Sequence, residues 1–376
     1  MVTKFVPLPA NSGGKLRSLA VLRRLAEVGD VVLCCFEDDP GGADELRSQG
    51  IDVRTVPWQP NLAHVVRGIT KTRSGSAGRF WDRRLADEVR RALGEAPTDL
   101  LQVEYSQLAP YLRLGAARTR VLDYHNIESS LALSYARSSR TPRARLARLE
   151  SVLLRRLERR AAGDADLVTV VSEQDRDRMP GAPSELLVCP NGWDPTTALP
   201  PAPTPTAVFV ALMGWKPNID AAVWLGREVW PLVRADMPEA RLVLVGREPS
   251  AAVRDIAAPD IDVTGTVPDV RPYLASARVA LAPLRSGGGT RLKVLEALDA
   301  GRPLVSTSVG IDGLADLVGR GVVVADEPAE FAKQVTELLR DPARAEAQGA
   351  IGARAVRECY SWDRVLRPWL ERVVRA

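Results

Sequence analysis

The chain has 376 residues, a length that favours two domains over one compact core. Hydrophobic residues make up 45% and charged residues 26%, which is typical of a globular protein and excludes disordered, fibrous and integral membrane classes. No apolar run approaches the ~20 residues that span a bilayer, and the N-terminus lacks the apolar core of a signal peptide. We therefore expect a cytoplasmic protein.

The metal and disulfide chemistry of the chain is limited by its composition. The four cysteines show no CxxC spacing, and the two histidines, His64 and His125, are far apart in sequence. Structural zinc sites and disulfide frameworks need closely spaced ligands or paired cysteines. We predict neither, and we expect no metal and no resident cofactor.

The first half of the chain alternates β-rich apolar stretches with helical patterns, which predicts an α/β fold with a doubly wound parallel sheet. The stretch at 186–190 leads into a proline-rich run, which predicts an N-terminal domain of residues 1–190 and a linker of residues 191–205. The strands that we predict are Val31 to Phe36, Ile51 to Pro57, Leu100 to Glu104, Arg120 to Tyr124 and Leu167 to Val171.

The second half repeats the alternation and predicts a second Rossmann-like domain over residues 206–355. Two doubly wound domains place the carboxyl ends of their strands around a shared crevice, where we expect the ligand. The predicted strands are Ala207 to Leu212, Arg241 to Val245, Ile261 to Gly265, Val279 to Pro283, Pro303 to Ser306 and Val322 to Val324. The predicted helices follow Asn218, Val270, Gly289 and Pro328, and a last helical region runs from Pro342 to the end.

The basic charge of the chain is concentrated between Arg137 and Arg160. This segment holds nine arginines and two glutamates, a net charge of +7, so the remainder of the chain is slightly acidic. Five apolar residues at helical spacing predict a basic amphipathic helix: Leu146, Leu149, Val152, Leu153 and Leu157. Two interpretations stay open, a peripheral contact with an anionic membrane surface or acidic acceptor and a merely solvated helix face. Nucleic-acid binding is not predicted, because no aromatic interleaving accompanies the arginines.

A glycine-rich turn carries the most informative chemistry. A predicted strand ends at Pro283, the residues Gly287, Gly288 and Gly289 turn the chain, and a predicted helix follows Gly289. The free N–H groups at that helix start, with Arg291 and Lys293, predict a diphosphate cradle. Glu296, about a turn and a half later, can accept hydrogen bonds from vicinal hydroxyls such as those of ribose. The alternative is a flexible loop before a helix with solvated charges.

Five ordered segments decide between these readings. They resemble the C-terminal domain of retaining GT-B glycosyltransferases of the GT4-like group, also called the glycosyl transferases group 1 family. The resemblance implies transfer of a sugar from a nucleotide diphosphate donor (UDP, GDP or TDP), without metal, to an acceptor hydroxyl or amine with retained anomeric configuration. The matching segments are Gly214 to Asn218, Leu242 to Gly246, Val263 to Val270, Gly287 to Ala297 and Ala300 to Thr307.

The resemblance assigns donor contacts residue by residue. Glu296 matches the second glutamate of the family's paired motif and would bind ribose, whereas the first glutamate is replaced by Gly288, which leaves the donor sugar unidentified. Contacts there would come from the backbone of residues 288–290. Lys216 partly matches the family's basic pair, and Arg291 or Lys293 would supply the missing charge.

Two further loops resemble the family's donor contacts. Gly13 and Gly14 resemble the N-terminal glycine loop against the diphosphate, although a plain turn is the alternative. The turn from Gly265 to Val267 resembles the base-binding loop, with Tyr273 packing the ring. The sequence around 360–363 is similar to the family's final helix, so residues 356–376 are expected to pack back on the N-terminal domain.

His125 is the candidate catalytic residue. It follows a predicted strand, where an imidazole can donate to a sugar hydroxyl or handle a proton near neutral pH. It resembles the family's histidine that contacts the donor sugar. Glu104, with Tyr105 and Asn126, is the candidate acceptor contact, and a structural ion pair at Glu104 is the alternative.

Partner and reaction alternatives also remain. The acceptor is expected to be a glycan, a lipid-linked molecule or a small molecule, and the protein a cytoplasmic one with peripheral contact at the inner face of the membrane as an option. The alternatives are a sugar-nucleotide epimerase, an inverting GT-B transferase, and a non-catalytic sugar-nucleotide-binding protein, the last kept open by the missing glutamate at 288.

Overall fold

The computed structural model describes residues 1–58, 61–137, 141–197, 199–200, 202–287 and 291–375, without the side chain of residue 143. The chain divides into two compact units. Unit 1 comprises Met1–Pro190 with Leu366–Ala376, and unit 2 comprises Asn191–Val365. Among the described residues, no helix combines the length and apolar character needed to cross a bilayer.

Unit 1 is built on a seven-stranded parallel sheet in the order β3-β2-β1-β4-β5-β6-β7. The strand order reverses beside β1, so β1 and β4 flank the switch point at which ligands of doubly wound sheets bind. The strands are β1 Val2–Phe5, β2 Val32–Glu37, β3 Asp52–Pro57, β4 Leu100–Glu104, β5 Thr119–Tyr124, β6 Leu167–Val170 and β7 Leu186–Val188.

The helices of unit 1 lie between these strands. Their buried faces cover the sheet, with an apolar core on each side of it. They are α1 Gly13–Ala26, α2 Pro40–Ser48, α3 Leu62–Thr72, α4 Gly75–Gly78, α5 Arg83–Glu95, the 3-10 helix Ser106–Arg113, α6 Glu128–Arg137, α7 Pro142–Asp164 and α8 Glu173–Arg178.

Unit 2 has a six-stranded parallel sheet in the order β10-β9-β8-β11-β12-β13, again with a switch point beside its first strand. Its strands are β8 Thr206–Val210, β9 Arg241–Val245, β10 Ile261–Gly265, β11 Val279–Ala282, β12 Leu304–Ser306 and β13 Val322–Val324. Its helices are α9 Lys216–Trp224, a π-helical turn Leu225–Val229, α10 Trp230–Asp236, α11 Ala251–Arg254, α12 Arg271–Ser276, α13 Leu292–Asp299, a 3-10 helix Ala315–Leu317, α14 Pro328–Arg340 and α15 Pro342–Cys359. The last helix, α16 Trp362–Arg375, begins in unit 2 and belongs to unit 1 from Leu366 onward.

The α/β fold class predicted from the alternation is confirmed, and the strands differ at two places. Strands β1 and β7 were not predicted, because β1 is short and Lys4 interrupts its apolar run while β7 has only three residues. The helix expected after Asn218 begins at Lys216, since Pro217 is well suited to a first helical turn.

The predicted linker is not a free tether. The Asp299 carboxylate accepts hydrogen bonds from the Trp193 indole N–H at 3.2 Å and from the Thr196 backbone N–H at 2.8 Å, so this segment is bonded to unit 2. The C-terminal boundary also differs from the predicted 355/356, because α15 packs closely on unit 2. A Cβ added at Gly349 would lie 2.0 Å from the Gly301 carbonyl oxygen. Residues from Leu366 belong to unit 1, where Arg372 pairs with Glu185 at 2.6 Å.

The single helix predicted over 137–160 is also corrected. Arg137 ends α6, and α7 begins at Pro142 behind the Thr141 side chain, which caps it by accepting from the Ala144 N–H. Residues 138–140 lie outside the described residues. Proline at the first helical position and threonine before it form a strong start signal, which explains why a new helix begins there.

Candidate functional site

In unit 1, the candidate residues lie at the carboxyl ends of the adjacent strands β4 and β5. Glu104 is the last residue of β4, and His125 follows the last residue of β5. The His125 Nε2 atom lies 2.7 Å from the Glu104 Oε2 atom. This hydrogen bond engages Nε2, which leaves Nδ1 as the ring nitrogen outside the pair.

A second carboxylate stands beside the pair. Asp123, on β5, lies with its Oδ2 atom 3.5 Å from His125 Nε2. Arg17 of α1 binds Asp123 through two N–H groups at 2.6 and 2.8 Å. Thr169 donates its hydroxyl to Asp123 at 2.5 Å, and Arg17 also donates to the Cys189 carbonyl at 3.0 Å. Both Arg17 and Asp123 are buried, so this is an ion pair held inside the protein.

The environment shifts the pKa values of the two carboxyl groups in opposite directions. Burial, together with the negative charge of Asp123, raises the pKa of Glu104 above its usual range. Burial also opposes ionisation of Asp123, but the charge and hydrogen bonds of Arg17 outweigh it and lower the pKa of Asp123. Asp123 therefore carries the fixed negative charge, while Glu104 is the group that can hold a proton beside His125.

Tyr105 covers the imidazole. Its ring centroid lies 3.8 Å from that of His125, and its backbone adopts φ 74°, a conformation that non-glycine residues rarely adopt. The Lys4 ammonium lies 4.0 Å from the Tyr105 ring centroid, and burial lowers the pKa of Lys4. Gly14 makes room for the tyrosine, because a Cβ there would lie 2.2 Å from the Tyr105 hydroxyl oxygen. Such strain beside a polar cluster is typical of functional sites.

The predicted acceptor residues differ in how deeply the structure buries them. The Glu104 side chain is completely buried, and its second oxygen accepts a hydrogen bond from Gln102 at 2.8 Å. It therefore cannot offer its carboxylate to an acceptor in this arrangement. Tyr105 and Asn126 are half-buried. Gly13 is exposed, and Gly14 is half-buried against Tyr105.

The same cluster is the one group among the described residues that brings three ligand-type side chains together. Potential ligand atoms of Glu104, Asp123 and His125 lie within 4.8 Å of one another. However, both Asp123 oxygens already accept hydrogen bonds, and the Arg17 guanidinium neutralises its charge. We therefore treat the group as a hydrogen-bonded ion network and assign no metal to it.

In unit 2, the candidate residues collect at the carboxyl edge of the sheet, where α9 and α13 begin. The Lys293 ammonium donates to the Asn218 side-chain oxygen at 3.0 Å and lies 4.9 Å from the Phe209 ring centroid. Asn218 is held in turn by donating to the Leu212 carbonyl at 2.9 Å. Desolvation, with repulsion from Arg291, lowers the pKa of Lys293 to about 7.

Arg291 stands at the start of α13. It is buried, and it packs against Gly287, which has φ 125° and whose added Cβ would lie 2.7 Å from an Arg291 terminal nitrogen. Two cations, Arg291 and Lys293, are therefore packed at the N-terminus of a helix. Two positive charges at this spacing repel each other, and a bound anion would offset the repulsion. Gly288, Gly289 and Thr290, predicted to contribute to the same cradle, lie outside the described residues.

Glu296 faces the predicted base loop from α13. Desolvation, followed by the negative charge of Asp269, raises the pKa of Glu296 to about 7, while Arg271 and Lys293 oppose the rise. These charges show that the α13 carboxylate and the 265–273 segment are close in space. Gly265 has φ 71°, and Val267 and Tyr273 are half-buried in that segment. Lys216 is exposed at the first position of α9.

Sequence reasoning missed several partners of the predicted site residues. Arg17, Asp123 and Asn218 were not among the predicted site residues. Asn218 could have been found, because it stands in the Gly214 to Asn218 segment that resembles the family. Arg17 and Asp123 are 106 residues apart, and no sequence signal links them.

Comparison with protein families gives two matches that together cover most of the chain. The family described as Glycosyl transferases group 1 matches residues 204–341, and the one described as Glycosyl transferase 4-like domain matches residues 9–192. A curated relative from Klebsiella pneumoniae, "Uncharacterized 44.6 kDa protein in cps region", is 23% identical over 143 residues. That match covers 36% of this chain and 37% of the relative, so it spans little more than a third of each.

Several solved structures resemble the whole chain or a large part of it. Sucrose-phosphate synthase from Thermosynechococcus elongatus has a TM-score of 0.70 at 17% identity, covering 100% of this chain and 98% of its own. Anabaena Alr3699/HepE in complex with UDP and glucose has a TM-score of 0.71 at 13% identity, with the same coverage. S. aureus TarM in complex with UDP and alpha-GlcNAc-glycerol has a TM-score of 0.61 at 13% identity, covering 77% and 59%. At these identities the likeness establishes the fold.

Proposed function

Because the chain belongs to the glycosyl transferases group 1 (GT4-like) family and has the GT-B fold, we propose that it transfers a sugar from a nucleotide diphosphate donor to an acceptor hydroxyl or amine, with retained anomeric configuration. The observation that carries this proposal is the pair of cations at the start of α13, with Glu296 one turn further on. It is a charge arrangement suited to a nucleoside diphosphate.

The chemistry of unit 2 supports a donor of this class. Arg291 and Lys293 would neutralise the diphosphate, both when the donor binds and when the nucleoside diphosphate leaves. Glu296 would accept hydrogen bonds from the two ribose hydroxyls, in its ionised form. Lys216, exposed at the start of α9, would add a further positive charge. Segment 265–273, including Gly265, Val267 and Tyr273, would pack the base.

UDP is our first choice of nucleotide. The solved structures of Alr3699/HepE and TarM contain UDP, and they share this fold. The sugar is left open, because Gly288 replaces the glutamate that contacts it in relatives. The same two relatives, with glucose and alpha-GlcNAc-glycerol in their crystals, support a sugar or glycan acceptor for this chain.

In unit 1, we assign to His125 the contact with a donor sugar hydroxyl. Glu104 acts through it as a positioning residue. Its contact with Nε2 fixes which ring nitrogen is available, as a carboxylate does for the imidazole of a catalytic triad. Because this contact engages Nε2, Nδ1 can serve the substrate without a change of ring orientation.

An activity screen tests the proposal. Sugar-labelled UDP, GDP and TDP donors are incubated with glycan, lipid-linked and small-molecule acceptors, and the anomeric configuration of any product is read by NMR. We expect transfer with retention by the wild type and loss of transfer in Lys293→Met. The exposed Lys333→Met, on α14, is the matched control and should stay active. An inverted product, or nucleotide binding without turnover on any acceptor, would replace the proposal by an inverting transferase or a binding protein.

A further inference from the structure

Helix α7 is mounted on unit 1 with polar residues inward. Its buried positions include Ser151, Leu154 and Glu158, and the Glu158 carboxylate accepts hydrogen bonds from the backbone N–H groups of Glu128 at 2.8 Å and Ser129 at 3.3 Å. Glu158 therefore caps the N-terminus of α6 from inside the protein. A buried glutamate on this face fixes the rotation of the helix, which turns the opposite face outward.

The outward face of α7 is apolar where a solvated helix would be polar. Leu146 is 66% exposed, Leu149 57% and Val152 46%, and the three follow one another at a spacing of three residues along one side of the helix. Scattered exposed apolar residues need no explanation, but a continuous row on one helix face marks an interaction surface.

The charges around this row are cationic. Arg145, Arg148, Arg155, Arg156, Arg159 and Arg160 are all exposed, and among the described residues none of them forms an ion pair. The two glutamates of α7 do not neutralise these arginines, because both are engaged by other groups. Glu158 is buried, and Glu150 accepts from the Ser74 hydroxyl at 2.5 Å and the Ser76 backbone N–H at 2.8 Å. The surface of α7 therefore presents arginine without compensating carboxylate.

A second row lies on a neighbouring helix. Leu62 is 81% exposed, Val66 53% and Ile69 40%, at the i, i+4, i+7 spacing of one face of α3. Residues 61–79 contain no aspartate or glutamate, and Arg67, Lys71 and Arg73 are exposed.

Helices α3 and α7 are joined through the short helix α4. Glu150 of α7 binds the N-terminal N–H groups of α4, including Gly75 at 3.2 Å. On the other side, a Cβ added at Gly68 of α3 would lie 1.9 Å from the Gly78 carbonyl oxygen, so the two backbones touch. The two apolar rows therefore belong to one connected part of unit 1.

We propose that the apolar rows of α3 and α7, with the arginines and lysine beside them, form a docking surface for an anionic lipid bilayer. The apolar side chains enter the boundary between headgroups and acyl chains, and the cations bind lipid phosphates. A folded protein partner would match a closed apolar patch. Here instead the apolar rows are narrow, and both are accompanied by cations that form no ion pair within the part of the chain that the structure describes, which suits a flat, negatively charged surface. This inference is independent of the proposed sugar transfer.

Vesicle co-sedimentation tests the docking surface. The full chain is mixed with vesicles of phosphatidylcholine alone or of phosphatidylcholine with about 30% anionic phosphatidylglycerol, in low and high salt. We expect binding to the anionic vesicles only, reduced by salt because the lipid charge is screened. Leu146→Ser with Leu149→Ser, and separately Leu62→Ser with Val66→Ser, should each weaken the partition coefficient by about tenfold or more.

Two matched controls separate this surface from general stickiness. Leu232→Ser with Ile351→Ser removes apolar residues of similar exposure from unit 2, and Arg23→Gln with Arg227→Gln removes two exposed arginines outside the surface. Both should bind as the wild type does, whereas Arg145→Gln with Arg148→Gln should bind less. Equal binding by all variants, equal binding to neutral vesicles, no binding in low salt, or a dimer that the leucine variants convert to monomer would overturn the proposal.

Discussion

The Nε2 atom of His125 lies 2.7 Å from Oε2 of Glu104, with Glu104 wholly buried behind it and Tyr105 stacked on the imidazole. This relationship makes the glutamate a partner of the histidine. It also places the protonatable carboxyl on the side of the ring away from Nδ1.

Glu104→Gln should lower kcat by about tenfold or more, a typical effect of disturbing a positioned acid–base group, while KM for the donor changes by less than about twofold. Glutamine keeps the size of the side chain but removes the carboxyl that is hydrogen-bonded to His125. The free energy of unfolding should not fall, since burial already disfavours the charged form of Glu104. The measurement is kcat and KM against pH together with chemical denaturation. A variant with wild-type kcat would reduce Glu104 to a packing role.

Gly14→Ala should impair activity more than stability. The new methyl group would displace the Tyr105 hydroxyl, and because the ring can turn aside, the fold is expected to survive while the contact between Tyr105 and His125 is lost. We expect a loss of kcat of about tenfold with a change in unfolding free energy below about 2 kcal/mol. Gly94→Ala, at a helical position where an added Cβ meets nothing within 4 Å, is the control. If Gly14→Ala simply unfolds the protein, the assignment of Gly14 to the site loses its support.

Donor binding should depend on pH in two directions. Lys293 and Glu296 both have a pKa of about 7. The diphosphate of the donor favours the charged form of Lys293, so the affinity for the donor should fall as the pH rises above 7. The ribose favours the ionised form of Glu296, so the affinity for the donor should also fall as the pH drops below 7. Titration calorimetry with UDP-glucose, GDP-mannose and TDP-glucose measures both effects. The measurements run from pH 5.5 to 8.5, about 1.5 units either side of these pKa values.

Two variants show which residue causes which fall in affinity. Lys293→Met should keep the fall at low pH and lose the fall at high pH, and Glu296→Gln should do the reverse. A flat profile in the wild type, or the same profile in both variants, would show that neither residue titrates against the donor.

Glu158→Gln should alter the pH dependence of stability. Burial raises the pKa of Glu158 from 4.5 to about 7, so the folded protein holds a proton that the unfolded chain has released between these pH values. The stability contributed by this proton is fully present below pH 4.5 and is lost as the pH rises through 7. By pH 8 the glutamine variant should therefore have gained about 3 kcal/mol relative to the wild type. Denaturant unfolding at pH 4.5, 6 and 8 measures the difference, and a gap that stays constant with pH would contradict the assignment.

Sequence reasoning could predict the parts of the candidate site that depend on strand ends and loops. Parallel strands bring their carboxyl ends to one edge of a sheet, so His125 and the Gly287 to Glu296 region could be placed from their positions after β5 and β11. The sequence could not show that Glu104 turns inward to His125. It could not show that Arg17, 106 residues before Asp123, completes the network either. Long-range pairing of charged residues leaves no local pattern.

Helix α7 shows a different limit of the sequence. Its leucines predicted an amphipathic helix, and such a pattern is normally taken to face the core. The structure instead buries Ser151 and Glu158 and exposes Leu146 and Leu149. The backbone N–H groups of α6 provide the reason, because they bind the Glu158 carboxylate and fix the rotation of α7. Hydrophobicity alone cannot anticipate a helix whose orientation is set by a buried hydrogen bond.

Calorimetric titration with UDP, GDP, TDP and the corresponding free nucleosides tests most directly whether Lys293 and Glu296 form parts of one nucleoside diphosphate site. We predict that one nucleotide binds selectively, that Lys293→Met weakens the diphosphate but spares its nucleoside, and that Glu296→Ala weakens both, with Lys333→Met unchanged. Wild-type affinities in both site variants, or no binding of any nucleotide to the wild type, would contradict the account.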